Sequence, residues 1–128
     1  MNKIHTDDAP ASIGPFSQAI NDNGLIYVSG QGPIDPETGN VIDGDVREQT
    51  ARTIENIQAV LEAGDSSLDD VVKATIFVMN MDDYDAINGV YAAYLNKPYP
   101  ARSAVQVADL PADITVEIEV VASKGRTS

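Results

Sequence analysis

At 128 residues and 43% hydrophobic, the chain is one domain's worth, a single unit spanning 1–128, and no stretch is long and apolar enough to span a bilayer. It has no cysteine and one histidine, His5, which excludes disulfides, thiolate nucleophiles and zinc ribbons and leaves a Ser-His-Asp triad a single place to pass through. Eight basic against 20 acidic residues give a net charge of −12, which opposes binding to nucleic-acid phosphates and to anionic membranes.

The N-terminal segment MNKIHTDDAPASIG has no apolar signal core and no Arg/Ser-rich transit pattern, so a cytoplasmic protein is expected. FSQAI (Phe16–Ile20) and LIYVSG (Leu25–Gly30) read as strands joined at Asn23-Gly24, the favoured two-residue hairpin turn. DPETGN (Asp35–Asn40) is a turn-rich loop. A long helix follows, with Asp45 as N-cap and Glu48 at capping-box spacing. Val46, Thr50, Ile54, Ile57 and Leu61 form its apolar face, and Gly64 stands where a C-terminal cap belongs. Asp69–Asn80 is rich in β-branched residues and reads as a central strand. A second helix starts near Asp82 and puts Tyr84, Ile87, Tyr91 and Tyr94 on one stripe, read as core packing, with Pro98 and Pro100 beyond its end.

Two strands close the chain, Arg102–Val107 and Ile114–Ala122. The second alternates strictly, with Ile114, Val116, Ile118 and Val120 on one face and Thr115, Glu117 and Glu119 on the other. If the two pair as an antiparallel hairpin, a register that buried Arg102 among aliphatics would be costly. The neighbouring register is therefore expected, with Arg102 and Ala104 on the face of Glu117 and Glu119. The whole pattern argues for an α+β fold, a mixed sheet with two helices packed on one face and the other face left for a partner.

Arg102 raises the functional question, because a chain this acidic places few cations. Its planar fork matches a carboxylate in two contacts and keeps its charge at neutral pH. A nearby glutamate can hold a water by accepting its proton in a hydrogen bond. Ser29, Gly30 and Gly32 in VSGQGP allow a ligand close to the backbone. These are the parts of a site for a small carboxylic acid, without metal or cofactor motifs. The plainer reading is that Arg102 pairs with Glu117 or Glu119 across the strands.

The segments IGPFSQAI, YVSGQGP, NIQAVLEAGDSSLDDVVKATIFV, INGVYAAYLNKPYPARSAV and LPADITVEIEVVA, in one register from about Ala9 to Ala122, closely resemble the Rid family of reactive-intermediate imine deaminases. The resemblance implies a chorismate-mutase-like sheet assembled as a homotrimer, with clefts between subunits. It implies hydrolysis of 2-imino acids (2-iminobutanoate and 2-iminopropanoate, products of pyridoxal-phosphate enzymes) to 2-oxo acids and ammonia, with no cofactor of its own. By the same resemblance Arg102 grips the substrate carboxylate with help from the backbone of Gly30. Glu117 positions the attacking water, aided by the main-chain carbonyl of Ala104. Ser29 and Phe16 line the cleft, and Asn88 and Tyr91 fall at recurring positions.

Three residues depart from the family pattern: Phe16 for tyrosine, Ala104 for cysteine, and Gly32 for a larger apolar residue, the last expected to loosen its loop. The competing reading is a non-catalytic trimer that binds 2-oxo acids and uses the same arginine. The aspartate-rich, lysine-poor composition, 14 Asp against 4 Lys, suits either a high-salt habitat or an ordinary acidic cytosol.

Overall fold

Asn23 and Gly24 both take positive φ, 52° and 79°, and between them turn β2 (Ala19–Asp22) back on β3 (Leu25–Gln31). The computed structural model in which this is seen describes residues 1–125. Its remaining elements are β1 (Asn2–Ile4), α1 (Val46–Ala63), β4 (Val71–Val78), α2 (Tyr84–Tyr94), β5 (Ala101–Gln106) and β6 (Val116–Ser123), with single 3-10 turns before β4 and α2. The expected first strand over Phe16–Ile20 is displaced: Phe16–Gln18 is loop, and pairing begins at Ala19.

The six strands form one mixed sheet in the order β1-β2-β3-β6-β4-β5. β4 lies inside the sheet, as its β-branched composition led one to expect, antiparallel to β6 and parallel to β5. The last two strands are therefore not a hairpin, because β4 sits between them. That corrects the expected face as well. Arg102 is level with Ala74, which is level with Val120, and both of these are buried under the helices. Glu117 is level with Phe77 and so with Val105, on the opposite side. Arg102 and Glu117 occupy opposite faces of the sheet.

Both helices pack on one face. Ile26, Ile54, Ile57, Leu61, Ile76, Val78, Ile87, Val116 and Ile118 are each no more than 2% exposed and form the core. The Asp45 capping box is present, with the Asp45 side chain accepting from the Glu48 N–H at 2.9 Å. Gly64 does not take the left-handed conformation expected of a cap glycine; its φ is −97°. It is small for another reason: a Cβ there would lie 2.6 Å from Ile4 Cδ1 and 3.1 Å from Ile26 Cδ1, inside the core. On the opposite face of the sheet, Tyr27 and Val105 are more than two-fifths exposed among the described residues.

Candidate active site

Arg102 leaves edge strand β5 on the helix side and meets the tyrosine stripe of α2. Its Nη2 donates to Tyr84 Oη at 2.9 Å, and its guanidinium carbon lies 5.5 Å from the Tyr84 ring centroid and 5.0 Å from that of Tyr91. The stripe is thus only partly core packing. Ile87 and Tyr91 are buried, whereas Tyr84 is 37% exposed and serves the arginine. Among the described residues no carboxylate lies within ion-pair distance of Arg102, so it does not pair with Glu117 or Glu119 in a chain of 20 acids.

A cavity of about 290 Å³ opens beside the guanidinium, lined by Asn88, Tyr91, Ala92, Tyr99, Pro100 and Arg102. Among the described residues, two of these lining residues carry a buried side-chain atom without a hydrogen-bond partner, Tyr91 Oη and Asn88 Oδ1. Such groups in a folded protein call for one. Burial raises the Tyr91 phenol above its ordinary pKa, against a smaller opposing pull from Arg102, so it stays a protonated donor. A guanidinium beside a cavity of this size can receive a small anion. Ala104, two residues on, points to the same helix side and is half buried against the core.

The other expected residues gather elsewhere. Glu117 and Gly30, with Phe16, wall a second cavity of about 330 Å³. A Cβ on Gly30 would lie 2.7 Å from the Glu117 carboxyl carbon, so the glycine is what lets that carboxylate rest against the β3 backbone. Burial raises the Glu117 carboxyl above its usual range, and the charge of Glu119 adds to the effect. Ser29 is committed to structure, its hydroxyl donating to the Ser17 carbonyl at 2.7 Å. Phe16 is half exposed at the cavity's rim. One chain therefore brings together Arg102, Asn88 and Tyr91 in one place, and Phe16, Gly30 and Glu117 in another.

Two buried amides, Gln18 and Asn56, hold the second cavity's walls, a third, Gln49, ties α1 to Thr115 just before β6, and sequence pattern alone did not single them out. Gln18 accepts from Thr6 N at 2.8 Å and donates to the carbonyls of Thr6 and Pro10, fixing the N-terminal segment. Asn56 donates to the Gly32 and Ile34 carbonyls at 3.0 and 2.8 Å. Gln49 accepts from the hydroxyl of Thr115 at 2.6 Å. The signal for the last two was their place on the inner side of α1, where an amide needs a backbone partner to be buried. The two Asn56 bonds tie the Gly32–Ile34 loop to α1.

Comparison with known proteins supplies the context for this geometry. A family model described as Endoribonuclease L-PSP matches residues 6–124. The chain is 50% identical over 121 residues to a RutC family protein of Pyrococcus abyssi, covering 94% of this chain and 95% of that one. It is 42% identical over 122 residues to a 2-iminobutanoate/2-iminopropanoate deaminase of Salmonella typhimurium, covering 93% and 94%. Among solved structures, that of Escherichia coli TdcF with bound serine superposes with a TM-score of 0.91 at 37% identity, covering 98% of this chain and all of the other.

Proposed function

The chain belongs to the Rid family, and from that premise we propose that it hydrolyses 2-imino acids to 2-oxo acids and ammonia. The observation that carries the proposal is Arg102, a permanent cation with no carboxylate beside it among the described residues, at the wall of a cavity that Asn88 and Tyr91 also line. The arrangement accepts a carboxylate supplied from outside. TdcF was seen with serine, a molecule carrying that carboxylate and a nitrogen on the adjacent carbon.

The chemistry asks for positioning. Arg102 takes the carboxylate in two contacts, leaving the neighbouring C=N carbon electrophilic and fixed in place. Glu117 accepts a proton from a water whose oxygen then bonds to that carbon. The C=N π pair moves to nitrogen, giving a tetrahedral amino alcohol. Proton transfer to nitrogen and collapse to C=O expel ammonia, so one imino acid and one water give one 2-oxo acid and one ammonia. Fixing substrate and water together is worth up to roughly 7–11 kcal/mol of barrier in ideal cases.

Arg102 and Glu117 face opposite ways in one chain, so a shared substrate requires two copies, Arg102 from one and Glu117 from the next. A homotrimer with a cleft at each contact meets that requirement and also covers the open face around Tyr27 and Val105. Gly30 then joins Arg102 at the carboxylate from the neighbouring copy.

The test is release of 2-oxo acid and ammonia from freshly generated 2-iminopropanoate, with wild type and Arg102→Ala in parallel. Acceleration by wild type alone is expected. No acceleration by a correctly assembled wild type would leave a binder of 2-oxo acids in place of an enzyme.

A further inference from the structure

Gly32 is a glycine without a backbone reason. It does not lie in the left-handed region, and its carbonyl is held by both Asn56 Nδ2 at 3.0 Å and the Ile34 N–H at 2.9 Å. What it provides is room. A Cβ there would meet Ile114 Cδ1 at 3.2 Å, close enough that Ile114, which lines the 330 Å³ cavity with Gly32 and Glu117, would have to give way.

The walls of that cavity are apolar: Ile13, Phe16, Ile34, Pro111 and Ile114. Two of its polar side chains, Gln18 and Gln31, are engaged with backbone groups. The Gln18 amide is used by the Thr6–Pro10 backbone, and the Gln31 amide nitrogen donates to the Ser29 carbonyl. Among the described residues the lining contains no basic side chain, and its one charged group is Glu117. A substrate whose reacting carbon faces the water on Glu117, and whose carboxylate is directed away to Arg102, has one substituent left. The cavity that Glu117 and Gly32 both line offers room for that substituent.

We infer that this cavity is the side-chain subsite and that the favoured substrates are imino acids with branched or aromatic apolar side chains, Gly32 setting the depth. The inference rests on the deaminase reading above. An acidic side chain is disfavoured by Glu117, and a basic one would leave most of the apolar wall unfilled.

The experiment measures binding of stable 2-oxo acids by calorimetry: pyruvate, 4-methyl-2-oxopentanoate and phenylpyruvate, with wild type and Gly32→Val. Wild type is expected to bind the two larger acids roughly ten- to a hundredfold more tightly than pyruvate, the range for filling an apolar pocket. Gly32→Val is expected to shrink that ratio at least tenfold. Equal or weaker binding of the larger acids by wild type overturns the inference whether or not the variant folds, as does a ratio unchanged in a folded variant. If pyruvate binds but the larger acids gain nothing, only the subsite is lost. If no 2-oxo acid binds, the carboxylate site itself is wrong and the deaminase reading falls with it.

Discussion

Arg102 is held by Tyr84: Nη2 donates to the phenol oxygen at 2.9 Å while the guanidinium carbon stands 5.5 Å from the centre of the same ring. Under the proposed function Tyr84 touches no reacting atom and is a positioning residue, steering the fork proposed to take the carboxylate. Tyr84→Phe keeps the ring and removes the hydrogen bond, worth roughly 0.5–1.5 kcal/mol. The expected result is a KM raised about three- to tenfold, by that same free energy, with kcat changed less. Tyr84→Ala should raise KM further. A Tyr84→Phe enzyme with unchanged KM would show that the tyrosine merely fills space.

Arg102 should not be replaceable by lysine. An ammonium is a point charge with no planar fork, and it would neither stack on Tyr91 nor offer two parallel donors. Arg102→Lys is expected to keep less than a tenth of kcat/KM, a loss of at least about 1.4 kcal/mol of transition-state stabilisation. Steady-state kinetics on 2-iminopropanoate checks this. Near-wild-type activity would mean that charge alone is recognised.

If Glu117 takes the proton of the attacking water, as proposed, the sign of the pH dependence follows. Only the carboxylate can take a proton from water, and both burial and Glu119 favour the protonated form. Activity should therefore fall as pH drops, and the fall should begin above the ordinary glutamate range. Glu119→Gln removes the second cause, so the acid limb should move to lower pH while the plateau persists. Rate profiles of the two proteins decide it, and an acid limb that does not move would mean that another group titrates. Glu117→Gln should still bind 2-oxo acids and lose most turnover.

Much of this was legible in residues that act on their neighbours. The Asp45 capping box, the Asn23-Gly24 turn and the alternation of Val116, Ile118 and Val120 are local devices, and each operates as its spacing implies. The partner of β5 was not legible. Its residues Ala101–Gln106 alternate without a decisive apolar side, and the strand that pairs with it begins thirty positions earlier. Inserting β4 between β5 and β6 moves Arg102 to the other face from Glu117, a consequence of tertiary order that no local pattern contains. Tyr84 and Tyr91, seven apart on one helix, did carry a signal of a shared neighbour; the arginine between them was the missing piece.

Asn56 tests whether the second cavity depends on its buried amides. Its side chain is fully buried and satisfies two carbonyls of the Gly32–Ile34 loop. Asn56→Ala leaves both without that donor, at a cost of about 1–3 kcal/mol. Thermal unfolding should show a Tm lower by several degrees. The freed loop should also weaken 2-oxo acid binding in the assembled protein. An unchanged Tm would mean that water replaces the amide without loss.

The division of the site between chains can be tested without a structure of the assembly. Arg102→Ala and Glu117→Gln should each be nearly inactive alone. If each site takes Arg102 from one copy and Glu117 from the next, mixed assemblies contain some contacts at which an intact arginine meets an intact glutamate. Random mixing in equal amounts puts about a quarter of contacts in that state. Co-refolding the two variants, or expressing them together, should then restore about a quarter of wild-type activity, while mixing them without subunit exchange restores none. A double variant carrying both changes in one chain, co-assembled with wild type, gives the complementary control, since contacts between two wild-type copies stay intact. Failure to recover activity in verified mixed assemblies would place Arg102 and Glu117 in separate functions, and the proposed mechanism would lose its base.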